Sequence, residues 1–591
     1  MCAKAKDEAP HPNGSVQAQP AAAQANTAPP ETIGRTSATE REANTSDEFH
    51  FWLARDRICN PFDIVEVDQV AYGGPDQASK TYGLITNIHH YTDAAGHLSN
   101  YISSNFGDVA EDPNTPRQGA HIADVSVLSN DADIYMPVPS GRRVRFATEQ
   151  GIYRALGIDT LMTERPHDAI PAGLIKLSSG ATATSFLDAR YVLGPESAHV
   201  NITGISGLAT KTSYAMFLIQ AILQKARNPE EIAVVILNVK HGDLLHLDEE
   251  PEKRLPLEQV ELWEKLGLKP QTFSAGKVHY FLPRSHRKGV PNSYQPYPQG
   301  YTLYAYDWSN TAGKLDFLFT DVPDSYGTLE SIISELKEGF RTRDKDISKI
   351  DSFDNLLSGP PLFDRTTGGA VAQGWRNIRA SSIGVFRRHM RRMIMAGGSG
   401  LFVPGARSTR EVDLGEEFLK IKGGHVYVVD IAGLKDHEQC LVFGDILNTV
   451  YRVKAEGVED EKTGEVTPGP KKVLFFVDEL NKYAPRGRQA SPVTDQVLEI
   501  AERGRSLGVI LLCAQQFLSS VHERVTGNCA TKILGRTGSA EVASSDYRFL
   551  GDDIKMNMTR LAKGELLVSH AIYRQPVKVV FPLPAYRQPG A

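Results

Sequence analysis

Lys211, Thr212 and Ser213 stand together at the start of a helical pattern, in the stretch NITGISGLATKTSYAMFLIQAIL (Asn201 to Leu223), with Gly204 and Gly207 upstream. A loop of this build turns backbone N–H groups toward phosphate at a helix N-terminus, where a lysine adds a positive charge. Far downstream, KKVLFFVDELNKYAPR (Lys471 to Arg486) carries an unbroken apolar run, Val473 to Val477, straight into Asp478-Glu479. Such a run suits a strand buried on both faces of a parallel sheet, and the carboxyl ends of such strands are where open sheets bind ligands. The two stretches together imply the chemistry of a nucleoside triphosphatase. The loop is not the usual one. Thr210 rather than glycine precedes Lys211, and Gly204 to Lys211 is one residue longer than the common pattern. The helix after it is the firmer reading, because Tyr214, Phe217, Leu218, Ala221 and Ile222 fall on one apolar face.

The elements that must position these groups follow from the rest of the chain. With 591 residues, two or three domains are expected. Hydrophobic content of 41% and charged content of 23% are those of a globular protein. No apolar stretch reaches the ~18 residues of a membrane span, and the start MCAKAKDEAPHPNG lacks the apolar core of a secretory signal. Cys2, Cys59, Cys440, Cys513 and Cys529 show neither metal-ligand spacing nor a pairing pattern, which fits a reducing cytoplasm. A net charge of −6 means that any nucleic-acid contact must rest on locally concentrated basic groups, as in a pore lining. FRRHMRR (Phe386 to Arg392) is one such run, although a charged helix face against acidic partners fits it at least as well.

Residues 1–47, rich in Ala, Pro, Gln, Ser and Thr, read as a disordered tail. Residues 48–180 read as a small β-barrel, from the short strands FDIVEVDQV, TYGLITNIHHY, ADVSVL and RRVRFA. Strands IAVVILNVK, HVYVVDIAG, KVLFFVDE, VILLCAQQ and TKILGRTG alternate with helical patterns, which predicts an α/β core with a parallel sheet, its first part at 181–244 and its second at 422–591. Between them, 245–421 reads as a partly helical insertion.

From about Phe62 to the C-terminus, the order of barrel, phosphate loop, insertion, FVDELNKYAP, RGRSLGVILLCAQQ and NCATKILGRTG resembles the HerA family. These are hexameric DNA-translocating ATPases related to FtsK, with a RecA-like P-loop core and an N-terminal HAS-barrel, which TYGLITNIHHYTD also resembles. The phosphate loop departs from the family form, which keeps glycine before lysine.

The resemblance implies that Gly204, Ile205, Ser206, Gly207, Leu208, Ala209, Thr210, Lys211, Thr212 and Ser213 bind ATP. Lys211 would contact the β- and γ-phosphates, and Thr212 and Asp478 would hold Mg²⁺. Glu479 would polarise the attacking water, and Gln515 or Gln516 would sense the γ-phosphate or orient water. Arg503, Arg505 and Arg536 are the candidates for an arginine finger reaching a neighbouring subunit. His241 and Asp243 match a short family stretch after the next strand. Expected partners are DNA, five further copies in a homo-hexamer, and an effector: a nuclease such as NurA, or a sirtuin-like NADase of the antiphage type, toward which the tail and loop incline. The alternative is a ring scaffold whose nucleotide binding licenses an effector with little translocation.

Overall fold

Alternating apolar and polar residues between Ile33 and Phe146 close a barrel of six antiparallel strands in the computed structural model: β1 (Thr32–Thr36), β2 (Glu48–Leu53), β3 (Ile64–Gln69), β4 (Ser79–Thr92), β5 (Gly119–Asn130) and β6 (Arg143–Phe146). Their order around the barrel is β1-β2-β5-β4-β3-β6, and Phe49, Phe51, Val65, Val67, Ile85, Ala123, Val125 and Val144 fill the interior. The described residues are 31–69, 79–110, 118–205, 210–320, 322, 327–345, 347–358, 366–367, 370–371, 374–375, 378–395, 398–459, 466–467, 469–487 and 491–589. β1 lies inside the stretch read from composition as a tail. Its Gly34 and threonines give it no apolar signature, yet it pairs with both β2 and β6.

The rest of the chain builds one large sheet. Its earlier strands are β7 (Ala169–Lys176), β8 (Thr182–Asp188), β9 (Ala198–Thr203), β10 (Ile232–Asn238), β11 (Val278–Pro283) and β12 (Thr302–Tyr304). Three two-stranded ribbons stand apart from it: β13 (Thr366–Thr367) with β14 (Ala370–Val371), β15 (Gly374–Trp375) with β16 (Ile378–Arg379), and, later, β19 (Val458–Glu459) with β20 (Val466–Thr467). The remaining sheet strands are β17 (Glu411–Val412), β18 (Val426–Asp430), β21 (Lys472–Asp478), β22 (Val509–Gln515), β23 (Cys529–Leu534), β24 (Glu565–Ser569) and β25 (Val577–Val580). The order is β17-β12-β11-β18-β10-β21-β22-β9-β23-β24-β25-β7-β8, parallel from β17 to β23 and antiparallel from there to β8. All five strands expected from the sequence are in the parallel half. β7 and β8, whose stretch straddles the end of the expected barrel, form one edge of the sheet. β11, β12 and β17, from the expected insertion, form the other.

Both faces of the parallel half are covered, which is why its strands are apolar on both sides. Along β21, Leu474 and Phe476 face the core that holds the helix Thr210–Lys225, while Val473, Phe475 and Val477 face the helices Asp436–Glu456 and Pro492–Leu507. The helix Thr210–Lys225 is buried on more than the one expected face, since Ala215, Met216 and Ile219 are as inaccessible as Tyr214 and Phe217. It lies between the sheet and a second layer: Tyr214 sits edge-on to Phe581 at 5.1 Å and Phe217 to Trp263 at 5.4 Å. Among the described residues, no helix is long and apolar enough to cross a membrane.

Two histidines are locked neutral in this core. Nε2 of His570 accepts from the Asp188 N–H (2.9 Å) while its Nδ1–H donates to Thr531 Oγ1 (2.7 Å), and His199 Nδ1 accepts from the Leu511 N–H (2.9 Å). Burial pushes both down to about 4. Unfolded histidine titrates near 6.5, so between that pH and about 4 the unfolded chain binds more protons, and stability that is complete above pH 6.5 falls as the pH drops. Each histidine should contribute a loss of about 3 kcal/mol by pH 4. Urea unfolding from pH 7.5 to 4.5 should therefore show a steeper acid decline for the parent than for His570→Gln.

Candidate functional site

The site is assembled by register. Parallel pairing sets Asp478 opposite Ala514, Ala514 opposite Ile202, and Gln515 opposite Thr203, so the ends of β21, β22 and β9 reach one edge together. Paired residues of neighbouring strands point the same way. Ala514 and Ile202 lie in the core containing the helix Thr210–Lys225, and Asp478 shares that face.

The chain leaves β9 through Gly204, at φ 153°, where an added Cβ would stand 3.1 Å from Gly535 Cα. Two glycines in contact let the exits of β9 and β23 run side by side. The Gly535 N–H donates to Thr203 O (2.7 Å) and the Ile205 N–H to Arg536 O (2.9 Å). Ser206, Gly207, Leu208 and Ala209 lie outside the described residues, as does the side chain of Thr210. The helix begins at Thr210, with Thr212 partly exposed and Ser213 buried in its first turn.

Lys211 is 6% exposed, and its Nζ has no hydrogen-bond partner among the described residues. Burial lowers its pKa, nearby Lys240 adds to that, and Asp478 and Glu479 oppose it. An ammonium buried without a partner at a helix N-terminus is unfavourable by itself and is matched by an anion seated there.

Asp478 is buried and its Oδ1 accepts from the Glu479 N–H (2.9 Å). Glu479 ends the strand at φ 56°, a left-handed conformation that costs a residue with a side chain of order 1 kcal/mol. Strain of this kind is retained where it aims a side chain.

Lys240, two residues beyond the end of β10, reaches both acids: its Nζ is 2.7 Å from Glu479 Oε1 and 3.4 Å from Asp478 Oδ2. Burial opposes its charge, but the two carboxylates outweigh this and raise its pKa. His241 follows at φ 44°, its carbonyl accepting from Asn238 Nδ2 (2.6 Å) and its ring edge-on to Tyr294 at 5.1 Å. Asp243 belongs to the same electrostatic cluster: burial raises its pKa, and among the charges, Asp478 raises it while His241 and Lys240 lower it. Sequence reasoning passed over Lys240, although it stands in the same NVKHGD stretch as His241 and Asp243.

The two glutamines separate. Gln515 is fully buried on the opposite face from Asp478, where Nε2 donates to Asn201 Oδ1 (2.8 Å). Gln516, one residue beyond the end of β22, is partly exposed. The signal for this was the alternation in β9, where polar His199, Asn201 and Thr203 interleave with Val200 and Ile202.

The arginines fall at two ends of the sheet. Arg503 pairs with Glu499 (3.5 Å), and Arg505 Nη1 donates to Glu196 O (2.7 Å), both at the amino-terminal side of the strands. A seven-residue strand spans ~20 Å, which separates them from Asp478 and Lys211 of the same chain. Arg536 is exposed beside its own phosphate loop.

The donor set fits a nucleotide with Mg²⁺. The orphaned ammonium suits a phosphate. A buried carboxylate at the strand end and a hydroxyl in the first turn of the helix are donors that suit Mg²⁺, which keeps several waters and shares itself with phosphate oxygens. A protein cage of three or more His, Cys, Asp or Glu is absent among the described residues.

No family model matches the chain, and no curated protein sequence matches it. Among solved structures it is similar to the bacterial conjugative coupling protein TrwB in its unbound form (11% identity, 66% of this chain and 88% of that one, TM-score 0.40). It is also similar to plasmid coupling protein TrwB with a non-hydrolysable ATP analogue (11%, 66% and 87%, TM-score 0.39). A third similarity is to the genome packaging NTPase B204 from Sulfolobus turreted icosahedral virus 2 (13%, 29% and 72%, TM-score 0.22). The closed barrel and the large, mostly parallel sheet covered by helices on both faces define a RecA-like P-loop α/β fold with an N-terminal β-barrel.

The two glutamines give a direct check. Gln515→Ala strands the buried Asn201 amide and should cost about 1–3 kcal/mol in urea unfolding. Gln516→Ala should leave stability within ~0.5 kcal/mol of the parent.

Proposed function

We propose that this chain is an ATP- and Mg²⁺-dependent motor that acts on DNA as a ring of identical subunits, a homo-hexamer of the HerA type. One observation carries the reading: the Lys211 ammonium is buried at a helix N-terminus without a hydrogen-bond partner among the described residues, on the same edge as Asp478 and Glu479. That arrangement answers to a triphosphate. Lys211 and the backbone N–H groups of the loop would hold the phosphates, Thr212 and Asp478 the metal, which supplies neutralising charge to the phosphate oxygens when bound. Glu479 would accept a proton from water aligned for attack, and Gln516, just beyond the end of β22, would orient that water.

Arg503 and Arg505 are too far from their own phosphate loop to serve it, which supports a role at a neighbour's nucleotide; Arg536 beside its own loop is the third candidate. The helix Ala380–Ile394 holds Arg387, Arg388, Arg391 and Arg392 and no acidic residue. Arg388 and Arg392 are exposed, with no ion pair among the described residues, and offer phosphate backbone a basic surface. The effector is a nuclease or a NADase-type enzyme.

The purified chain should hydrolyse ATP faster with DNA, in a salt-sensitive way; turnover indifferent to DNA would favour the scaffold instead. Lys211→Ala should abolish hydrolysis with the fold intact by circular dichroism, and parental turnover in this variant would sink the phosphate-loop assignment. Glu479→Gln should keep ATP binding while turnover falls by a factor on the order of 10² or more.

The trans arrangement has its own test. Lys211→Ala cannot hydrolyse, and Arg505→Ala cannot help its neighbour, yet a mixed ring contains some boundaries with both groups intact. Mixing the two inactive proteins should restore part of the activity, and Arg503→Ala is tried in parallel. Normal turnover by a monomer in ATP and Mg²⁺ would end the trans mechanism.

A further inference from the structure

Two acids and two lysines meet at the edge of the sheet, with Asp243 in the same cluster. Asp478 and Glu479 carry two negative charges, and Lys240 and Lys211 carry two positive ones. The lysines hold different positions. Lys211 is buried at the loop, while the side chain of Lys240 is 39% exposed and touches both carboxylates, at 2.7 and 3.4 Å.

Lys240 sits against the two carboxylates that would draw a divalent cation. A carboxylate at the end of a buried strand, with a second beside it, attracts metal from solution. An ammonium within hydrogen-bond distance of both neutralises that attraction and repels a cation approaching the same oxygens. The lysine is delivered there by fixed backbone. Asn238 at the end of β10 holds the His241 carbonyl at 2.6 Å, and His241 adopts φ 44°, so the turn carrying Lys240 is tied on one side. The lysine stem is nonetheless long and partly exposed, and its ammonium can swing while Asp478, with its side chain 5% exposed, stays in place.

We propose that Lys240 is a positioning residue, the counter-ion that keeps the Asp478–Glu479 pair closed to free divalent cation and yields it when a triphosphate offers the ammonium a second anionic seat. This rests on the nucleotide reading given above. Metal and nucleotide then enter together. A free cation meets carboxylates already paired with Lys240, whereas a triphosphate meets Lys211 and Lys240 as two ammonium groups. Lys240 also keeps the carboxylates from repelling the phosphates before metal arrives.

The test uses the full chain, free of nucleotide, as parent, Lys240→Met, Lys240→Gln and Lys240→Arg. Mn²⁺ binding without nucleotide is read from the free-ion EPR signal, and binding of a fluorescent ATP analogue is measured in EDTA. Both neutral variants should bind Mn²⁺ at least about tenfold more tightly and the metal-free analogue at least about tenfold more weakly, and Lys240→Arg should return both toward the parent. The opposite directions matter, because a variant that merely loosened the fold would lose both. Unchanged or weaker Mn²⁺ binding in both neutral variants overturns the proposal, as does unchanged nucleotide binding in EDTA. A parent that binds no nucleotide under any condition overturns the nucleotide reading instead, and the Mn²⁺ comparison still decides the role of Lys240.

Discussion

A buried ammonium with no hydrogen-bond partner among the described residues, that of Lys211, is the constraint from which the rest of this molecule follows. Removing a charge from water is costly, and the cost is met only if opposite charge is nearby or arrives. Lys211 has both on offer: Asp478 and Glu479 temper its burial, and a helix N-terminus stands ready for an anion. To bring those acids to that helix, the chain must run β9, β22 and β21 in parallel and in register, so that all three end on one edge. Parallel strands cannot be joined by tight turns, so the intervening helices are required, and they cover both faces. The double apolar pattern of β21 and β22 is the sequence record of that requirement.

Polarity and strain are concentrated where the strands stop. Glu479 adopts a left-handed conformation, Gly204 passes against Gly535, and Gln515 and Asn201 are paired inside the sheet layer with one polar atom each left over. A protein maximising stability would place apolar groups at such positions. That these deviations gather at one edge, beside two lysines and two acids, is the pattern of local cost accepted where function is served.

Much of this was legible in the chain, and the parts that were not share a cause. VLFFV and VILLCAQ announce themselves because a strand buried on both faces has no freedom in its residue types. β9 does not. Its His199, Asn201 and Thr203 are buried as completely as any leucine, but His199 and Asn201 bond to Leu511 and Gln515 of β22, and no local pattern encodes a partner so far along the chain. Lys240 was hidden for the same reason: a lysine after a strand looks solvated until β21 is placed beside β10. The antiparallel extension from β24 through β25 and β7 to β8 joins the last strands of the chain to the two that follow the barrel, and its alternation alone could not say which sheet it belonged to. At the phosphate loop, the order of glycines and lysine carried the reading, while the path of Ser206 to Ala209 lies outside the described residues.

β1 has a consequence for how the chain can be trimmed. Composition marks Asp47 as the natural place to cut, because almost no large apolar group stands before it. Yet Thr32–Thr36 is the stave that closes the barrel, seated between β2 and β6. Removing it would open the cylinder into a curved sheet with two bare edges, each presenting unsatisfied N–H and C=O groups to any strand in solution. Such edges invite pairing between copies, so a shortened chain would gather into ladders that imitate an assembly without being one. β1 is thus the seal of the barrel.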